Sequence, residues 1–206
     1  MTGRLAAIAD AVLPARVIAD VGCDHGLIAK YCVDYSLCER VIASDISEVC
    51  LKKARAALSC YDNITFEVCD GIQYDCDEAV IAGMGGTLIC DIIVKAKRKP
   101  DALVLCPHRN TDLVRRTLTT QGYAIKKDVL CKDRGKYYFV IRAELQKNTV
   151  AELSELQYLF GADYREKSEL LEEYLRLQYN TYMRAPERNA EKLALVERAI
   201  KDRNGV

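Results

Sequence analysis

The chain is predicted to be an α/β protein: a mostly parallel sheet of seven strands covered by helices on both faces, followed by a helical hairpin. Three observations carry that prediction. Short apolar runs recur through the first 147 residues, and each parallel one ends in an acidic or glycine-rich turn or in Pro107. The last two runs are separated only by a charged turn, which fits a hairpin that inserts one antiparallel strand. From Glu152 onward the apolar residues change to helical spacing.

The elements follow in order. Leu5, Ile8 and Val12 recur at helical spacing and predict a short amphipathic helix beside the first strand. Val17 to Val21 (VIADV) is a continuous apolar run broken by Asp20, as expected of a strand buried on both faces; Gly22, Asp24, His25 and Gly26 then form a turn whose glycines allow close backbone approach to a ligand. Val41 to Ile46 (VIASDI) repeats the pattern with Asp45, 25 positions after Asp20, a separation that suits one β-α-β unit. Ile64 to Val68 leads into Asp70 and Gly71, and Ala79 to Ala82 leads into Gly83, Met84, Gly85 and Gly86. Ala102 to Cys106 leads into Pro107, His108, Arg109 and Asn110, and a helix follows through Leu118. Tyr123 to Leu130 and Tyr137 to Ala143 are the closing pair. Ligands of such sheets bind at the carboxyl ends of the strands, where all the parallel-strand turns fall.

In the tail, Leu156 and Phe160 lie four apart, Gly161 interrupts, and Asp163 with Glu166 is the expected capping box of a longer helix carrying Leu171, Leu175, Tyr179 and Met183. Pro186 is expected in the first turn of a second helix with Leu193, Val196 and Ile200 on its apolar stripe. Residues 1–147 are therefore expected to form the ligand-binding domain and residues 148–206 a helical coiled-coil hairpin. The tyrosines Tyr158, Tyr164, Tyr174, Tyr179 and Tyr182 are expected to serve packing more than base stacking.

The turns also select a cofactor. An acid ending the second strand can hold both hydroxyls of a ribose, which points to a nucleoside-containing ligand. A pyrophosphate needs glycine backbone and a helix N-terminus free of negative charge, but Asp24 and His25 occupy that turn and break the dinucleotide fingerprint. That disfavours NAD and favours a cofactor without phosphate, such as S-adenosylmethionine, whose ammonium and sulfonium groups are compatible with carboxylates.

The ordered set DVGCDHG, ASDI, CDG and IAGMGG, with a proline-containing turn after the fifth strand, resembles the bacterial tRNA adenine N1-methyltransferases that act at nucleotide 22. These lie within the Rossmann-like class I S-adenosylmethionine-dependent methyltransferases. The resemblance covers nearly the whole chain. It implies that Asp20, Gly22, Asp24, His25 and Gly26 line the methionine end of the cofactor, Asp45 and Ile46 the ribose, and Asp70 and Gly71 the adenine. Gly83, Met84, Gly85 and Gly86 would then floor the acceptor pocket, with His108 and Asn110 as candidate partners of the acceptor base. One departure is the turn Cys106-Pro107-His108, where a Gln-Pro-Asn turn is common in the family.

Charge and cysteine usage narrow the partners. Net charge is zero, yet residues 95–147 hold 14 basic and 5 acidic side chains, a local excess of +9. Arg109, Arg115, Arg116, Lys126 and Lys127 are the cations expected to meet tRNA phosphates, with a solvated face as the plain alternative. No two of the ten cysteines stand two to four residues apart and only two histidines are present, so no metal site is expected, and most cysteines are expected to be small buried hydrophobes in a reducing cytoplasm. No secretory signal or membrane span is expected, and the working form is expected to be a monomer or weak homodimer. Two rival functions remain open at this point: methylation of a small molecule or protein, and a non-catalytic tRNA-binding role on the same fold.

Overall fold

The structure, a computed structural model, describes residues 3–204. A short helix α1 (Gly3–Ala9) precedes five β-strands, each except β3 followed by a helix: β1 (Val17–Val21), α2 (Leu27–Asp34), β2 (Arg40–Asp45), α3 (Glu48–Ala57), β3 (Ile64–Val68), β4 (Glu78–Ala82), α4 (Gly86–Lys95), β5 (Ala102–Cys106) and α5 (Thr111–Thr120). The hairpin β6 (Tyr123–Asp133) and β7 (Lys136–Leu145) follows, then α6 (Glu155–Phe160), α7 (Glu169–Tyr182) and α8 (Ala190–Asn204). One seven-stranded sheet has the order β3-β2-β1-β4-β5-β7-β6. The first five strands pair in parallel, and β7 inserts antiparallel to both β5 and β6.

Alternate residues of a strand point to opposite faces, and here both faces are covered. Val17, Ala19, Ile81, Leu103 and Leu105 pack into one apolar cluster with α4 and α5; Ile18, Val41, Ala43, Val80 and Val104 pack into the other with α1, α2 and α3. This two-sided burial is why the central strands read as almost wholly apolar runs. The hairpin differs from the sequence expectation. Both strands are longer, so Lys132 and Lys136 belong to the sheet, and the turn shrinks to Arg134 and Gly135, with φ of 47° and 77°. Two consecutive left-handed residues give the turn geometry whose twist matches the strands.

The tail also starts later than expected. Ser154 and Gln157 form the capping box of α6; α7 is capped by Ser168, not by Asp163; and α8 begins at Ala190, after a turn that contains Pro186. Leu171 and Leu175 of α7 meet Val196 and Ala199 of α8 over Leu156, Phe160 and Tyr164, so Tyr158 and Tyr164 are packing residues. The segment around α6 is also fastened to the sheet domain. Arg115 on α5 is 0% exposed and gives a two-pronged ion pair to Asp128 of β6, at 2.7 and 3.0 Å. It also donates to the Tyr158 carbonyl at 2.7 Å, while Asp128 accepts from the Ala162 amide at 2.7 Å. Arg115 was expected to meet tRNA phosphate; its burial and its hydrogen bonds to these partners correct that assignment.

Candidate active site

The turns at the carboxyl ends of β1, β2, β4 and β5 lie side by side, and the sheet order places them in a row. At the end of β1, the buried Asp20 carboxylate accepts from the Ala29 amide at 3.0 Å, capping the first turn of α2. Burial, partly opposed by the Ala29 hydrogen bond and assisted by the Asp45 charge, pushes the Asp20 pKa up to about 6. The Gly22 and Cys23 amides donate to the Ser44 carbonyl, tying this turn to β2. Gly22 has φ of 73°, and a Cβ there would collide with the Met84 methyl. The turn is therefore open for close backbone approach, with Met84 as its movable neighbour.

At the end of β2, Asp45 Oδ1 accepts from the Ser47 amide at 2.8 Å. That turn starts α3 and leaves the second carboxylate oxygen for a ligand. Asp45→Ala is expected to weaken S-adenosylmethionine binding by about 1.5–3 kcal/mol, the range for hydrogen bonds to a charged group. Isothermal calorimetry reads this directly; an unchanged affinity would remove Asp45 from the ribose site.

The β4 and β5 turns are joined to each other. The His108 amide donates to the Met84 carbonyl at 2.8 Å, and the Gly86 amide donates to the Arg109 carbonyl at 2.9 Å. A Cβ on Gly86 would lie 2.5 Å from the carbonyl oxygens of both Arg109 and Asn110, so only glycine admits this approach. Asn110, with φ of 56°, donates its side-chain amide to the Thr87 hydroxyl. His108 accepts at Nε2 from Arg4 Nη1 at 2.6 Å and faces Tyr138 edge-on. Burial, followed by the Arg4 and Lys136 charges, holds its pKa below the ordinary imidazole value, so His108 is neutral near pH 7.

Two clefts meet at this loop. The first, of about 440 Å³, is lined by Asp20, Gly22, Asp24, His25, Asp45, Gly83, Met84 and His108, together with α1. The second, of about 540 Å³, lies between residues 107–112, the start of β7 and the tail helices, and carries Tyr137, Tyr138, Tyr174 and Tyr182. His108 lines both. The remaining predicted cofactor and floor residues, Gly26, Ile46, Asp70, Gly71, Gly85 and Gly86, do not line the first cleft. Gly26, with φ of 66°, is buried at the start of α2; Ile46 is 71% exposed beside Asp45; Asp70 borders a small separate depression between the loop after β3 and α4, with Gly71 next to it in the chain. Gly85 and Gly86 form the start of α4. Arg4 and Tyr138, which no motif marks in the sequence, are brought to the site by α1 and β7.

The donor set suits the cofactor expected from the sequence. Carboxylates end β1 and β2, Gly22 and Gly83 leave the backbone open, and the acidic turn at Asp24 is hostile to a pyrophosphate. Among the described residues no group of three or more His, Cys, Asp or Glu could hold a metal ion. The ten cysteines are free: four are buried, five are half-buried and Cys60 is exposed, fewer buried than expected. Burial pushes the Cys23, Cys76 and Cys106 thiols up to about 12, which keeps them protonated and inert. Of the predicted RNA-facing cations, Arg109, Lys126 and Lys127 are exposed, while Arg116 pairs with Glu155 at 2.6 Å at the surface. No described helix is long and apolar enough to cross a membrane.

A sheet of this strand order, with carboxylates ending its first two strands and a glycine-rich turn after its fourth, defines a Rossmann-like class I methyltransferase. A family described as "Methyltransferase domain" matches residues 1–141. The chain is 30% identical over 191 residues to a Mycoplasma pneumoniae protein named "Putative tRNA methyltransferase", covering 87% of this chain and 90% of that one. It is 29% identical over 154 residues to the tRNA (adenine(22)-N(1))-methyltransferase of Bacillus subtilis, covering 70% of this chain and 65% of that one. The chain belongs to this methyltransferase family. Its fold is shared by TrmK of M. capricolum in complex with S-adenosyl-homocysteine, with a TM-score of 0.85 at 21% identity over 99% of this chain and 96% of that one. A Streptococcus pneumoniae structure in complex with S-adenosyl-L-methionine has a TM-score of 0.87 at 22% identity, covering 95% of this chain and 97% of that one.

Proposed function

We propose that the chain transfers the methyl group of S-adenosylmethionine to N1 of an adenine in tRNA, at nucleotide 22, in the cytoplasm and as a monomer or weak homodimer. The observation that carries this reading is the meeting of two clefts at His108: one with the carboxylates of a nucleoside site, the other open between the catalytic loop and the helical tail. The cofactor, when bound, supplies an electrophilic methyl group on a sulfonium.

The chain's residues have a modest chemical task. Adenine N1 carries a lone pair and no proton, so no general base is required, and none is assigned; alignment and desolvation supply the acceleration. N1 lies on the pairing edge of the base, so a paired adenine must be unpaired or flipped before it reaches the site. Asp45 holds the ribose, Asp20 and the Gly22 turn take the methionine end, and Asp70 and Gly71 stand at the adenine end. The loops at 83–86 and 107–110, locked together by their backbone hydrogen bonds, shape a narrow acceptor floor in which neutral His108 and the Asn110 amide orient the purine. The tail fixes the much larger tRNA relative to that floor.

Phosphate attraction is assigned to Arg109, Arg116, Lys126 and Lys127. Reversing these four to glutamate is expected to weaken tRNA binding and flatten its salt dependence, because each neutralised phosphate adds roughly 0.7 to 0.9 to the slope. Filter binding across a salt series checks this, with calorimetry confirming unchanged cofactor affinity. Equal slopes for wild type and variant would favour a small-molecule or protein acceptor.

A further inference from the structure

We propose that His108 and Asn110 read the target adenine by the edge that carries N7 and the 6-amino group, and so select the base that is methylated. This rests on the reaction proposed above. His108 is a donor of fixed direction. An arginine side chain has hydrogen-bond donors only, so the bond from Arg4 Nη1 at 2.6 Å obliges His108 Nε2 to accept. A neutral imidazole that accepts at Nε2 carries its proton on Nδ1, and Nδ1 has no partner among the described residues. That N–H is available to a ligand.

Asn110 supplies the matching acceptor. It stands at the N-cap of α5, where an asparagine oxygen ordinarily accepts a backbone amide of the first turn, yet its side chain makes no capping bond. Its Nδ2 instead donates to the Thr87 hydroxyl at 3.2 Å, which commits the nitrogen and leaves Oδ1 without a donor among the described residues. Both residues line the second cleft and His108 also lines the first, so a base held by the pair lies where the two clefts meet. The backbone on either side is pinned by the bonds from the His108 amide to the Met84 carbonyl and from the Gly86 amide to the Arg109 carbonyl. An N–H beside a carbonyl oxygen complements N7 and the 6-amino group of adenine. Guanine offers two acceptors on that edge, uracil an acceptor and no donor, and cytosine a donor without a neighbouring acceptor. Contact on this edge leaves N1 and its lone pair uncovered for the methyl group.

The test uses tRNA with 7-deazaadenosine at nucleotide 22, which keeps N1 and the 6-amino group but has a C–H in place of N7. Methylation of this tRNA and of the adenosine form is followed as kcat/KM for wild type, His108→Phe, Asn110→Asp and Asn110→Gly. Wild type is expected to methylate the analogue roughly tenfold more slowly, the scale of one lost hydrogen bond. His108→Phe should methylate adenosine more slowly and show no further loss with the analogue, whereas a change of cleft shape alone would slow both substrates by the same factor. Asn110→Asp keeps an oxygen and should retain more activity than Asn110→Gly. Equal kcat/KM of wild type for the two tRNAs would overturn the assignment, even if His108→Phe failed to fold. A His108→Phe variant that preserved the wild-type ratio, or an Asn110→Gly variant with full activity, would overturn it as well. If wild type binds S-adenosylmethionine but methylates neither tRNA, the reaction itself is refuted and this assignment falls with it.

Discussion

Arg115→Ala is expected to destabilise the protein by about 3–5 kcal/mol, because removing one partner of a buried pair leaves the other charge without compensation. The stranded group would be Asp128, which lies fully buried and keeps only the Ala162 amide as a donor among the described contacts. The Tyr158 carbonyl would lose its donor, and the Phe139 ring would lose the guanidinium stacked 4.4 Å from its centroid. Urea unfolding followed by circular dichroism measures the loss; a change below about 1 kcal/mol would mean that water replaces the arginine and the clamp is weak. The same contacts bear on the expected boundary after Lys147. A fragment ending there lacks both Tyr158 and Ala162, so it is expected to melt below wild type for reasons unrelated to RNA.

Asp20→Asn is expected to stabilise the protein at pH 8 by up to about 3 kcal/mol while weakening S-adenosylmethionine binding. The folded-state pKa of Asp20 is raised from 3.8 to about 6. The folded protein therefore holds this proton more tightly than the unfolded chain does. Stability from Asp20 is complete below pH 3.8 and is lost as pH rises through about 6. At about 1.4 kcal/mol for each tenfold change in proton affinity, the penalty above pH 6 approaches 3 kcal/mol. Asparagine keeps an oxygen for the Ala29 amide and carries no charge, so the fall in stability between pH 4 and 6 should shrink in the variant. Denaturant melts at pH 4, 6 and 8 check this. A variant less stable than wild type at pH 8 would show that the carboxylate is supported by contacts beyond Ala29 and that its burial is not costly.

Much of the sheet was legible in the sequence because its strands are covered on both faces and each parallel one hands over to a distinctive turn. Asp20, Asp45 and the 83–86 glycines stood out for the same reason, since they fall at the carboxyl ends of apolar runs, where ligands of such sheets bind. Arg115 did not. Its partner Asp128 is on β6 and its carbonyl acceptor, Tyr158, is on α6, and nothing local separates a buried arginine from a phosphate-facing one. Arg4 was hidden similarly: it reads as the polar side of a short amphipathic helix until α1 is laid against His108 and Tyr138. In the tail, Asp163 and Ser168 are both acceptable helix caps by type, and the choice fell to Ser168, where the chain turns to bury Leu171 against α8.

The central claim is methylation of adenine N1 in tRNA, and the most direct measurement is to incubate the protein with S-adenosylmethionine and unmodified tRNA, digest the RNA with nucleases and map the product by mass spectrometry. The account predicts one added methyl group, found as N1-methyladenosine at nucleotide 22. Methyl transfer to another atom or nucleotide, or none to tRNA from a protein that binds S-adenosylmethionine, would contradict it.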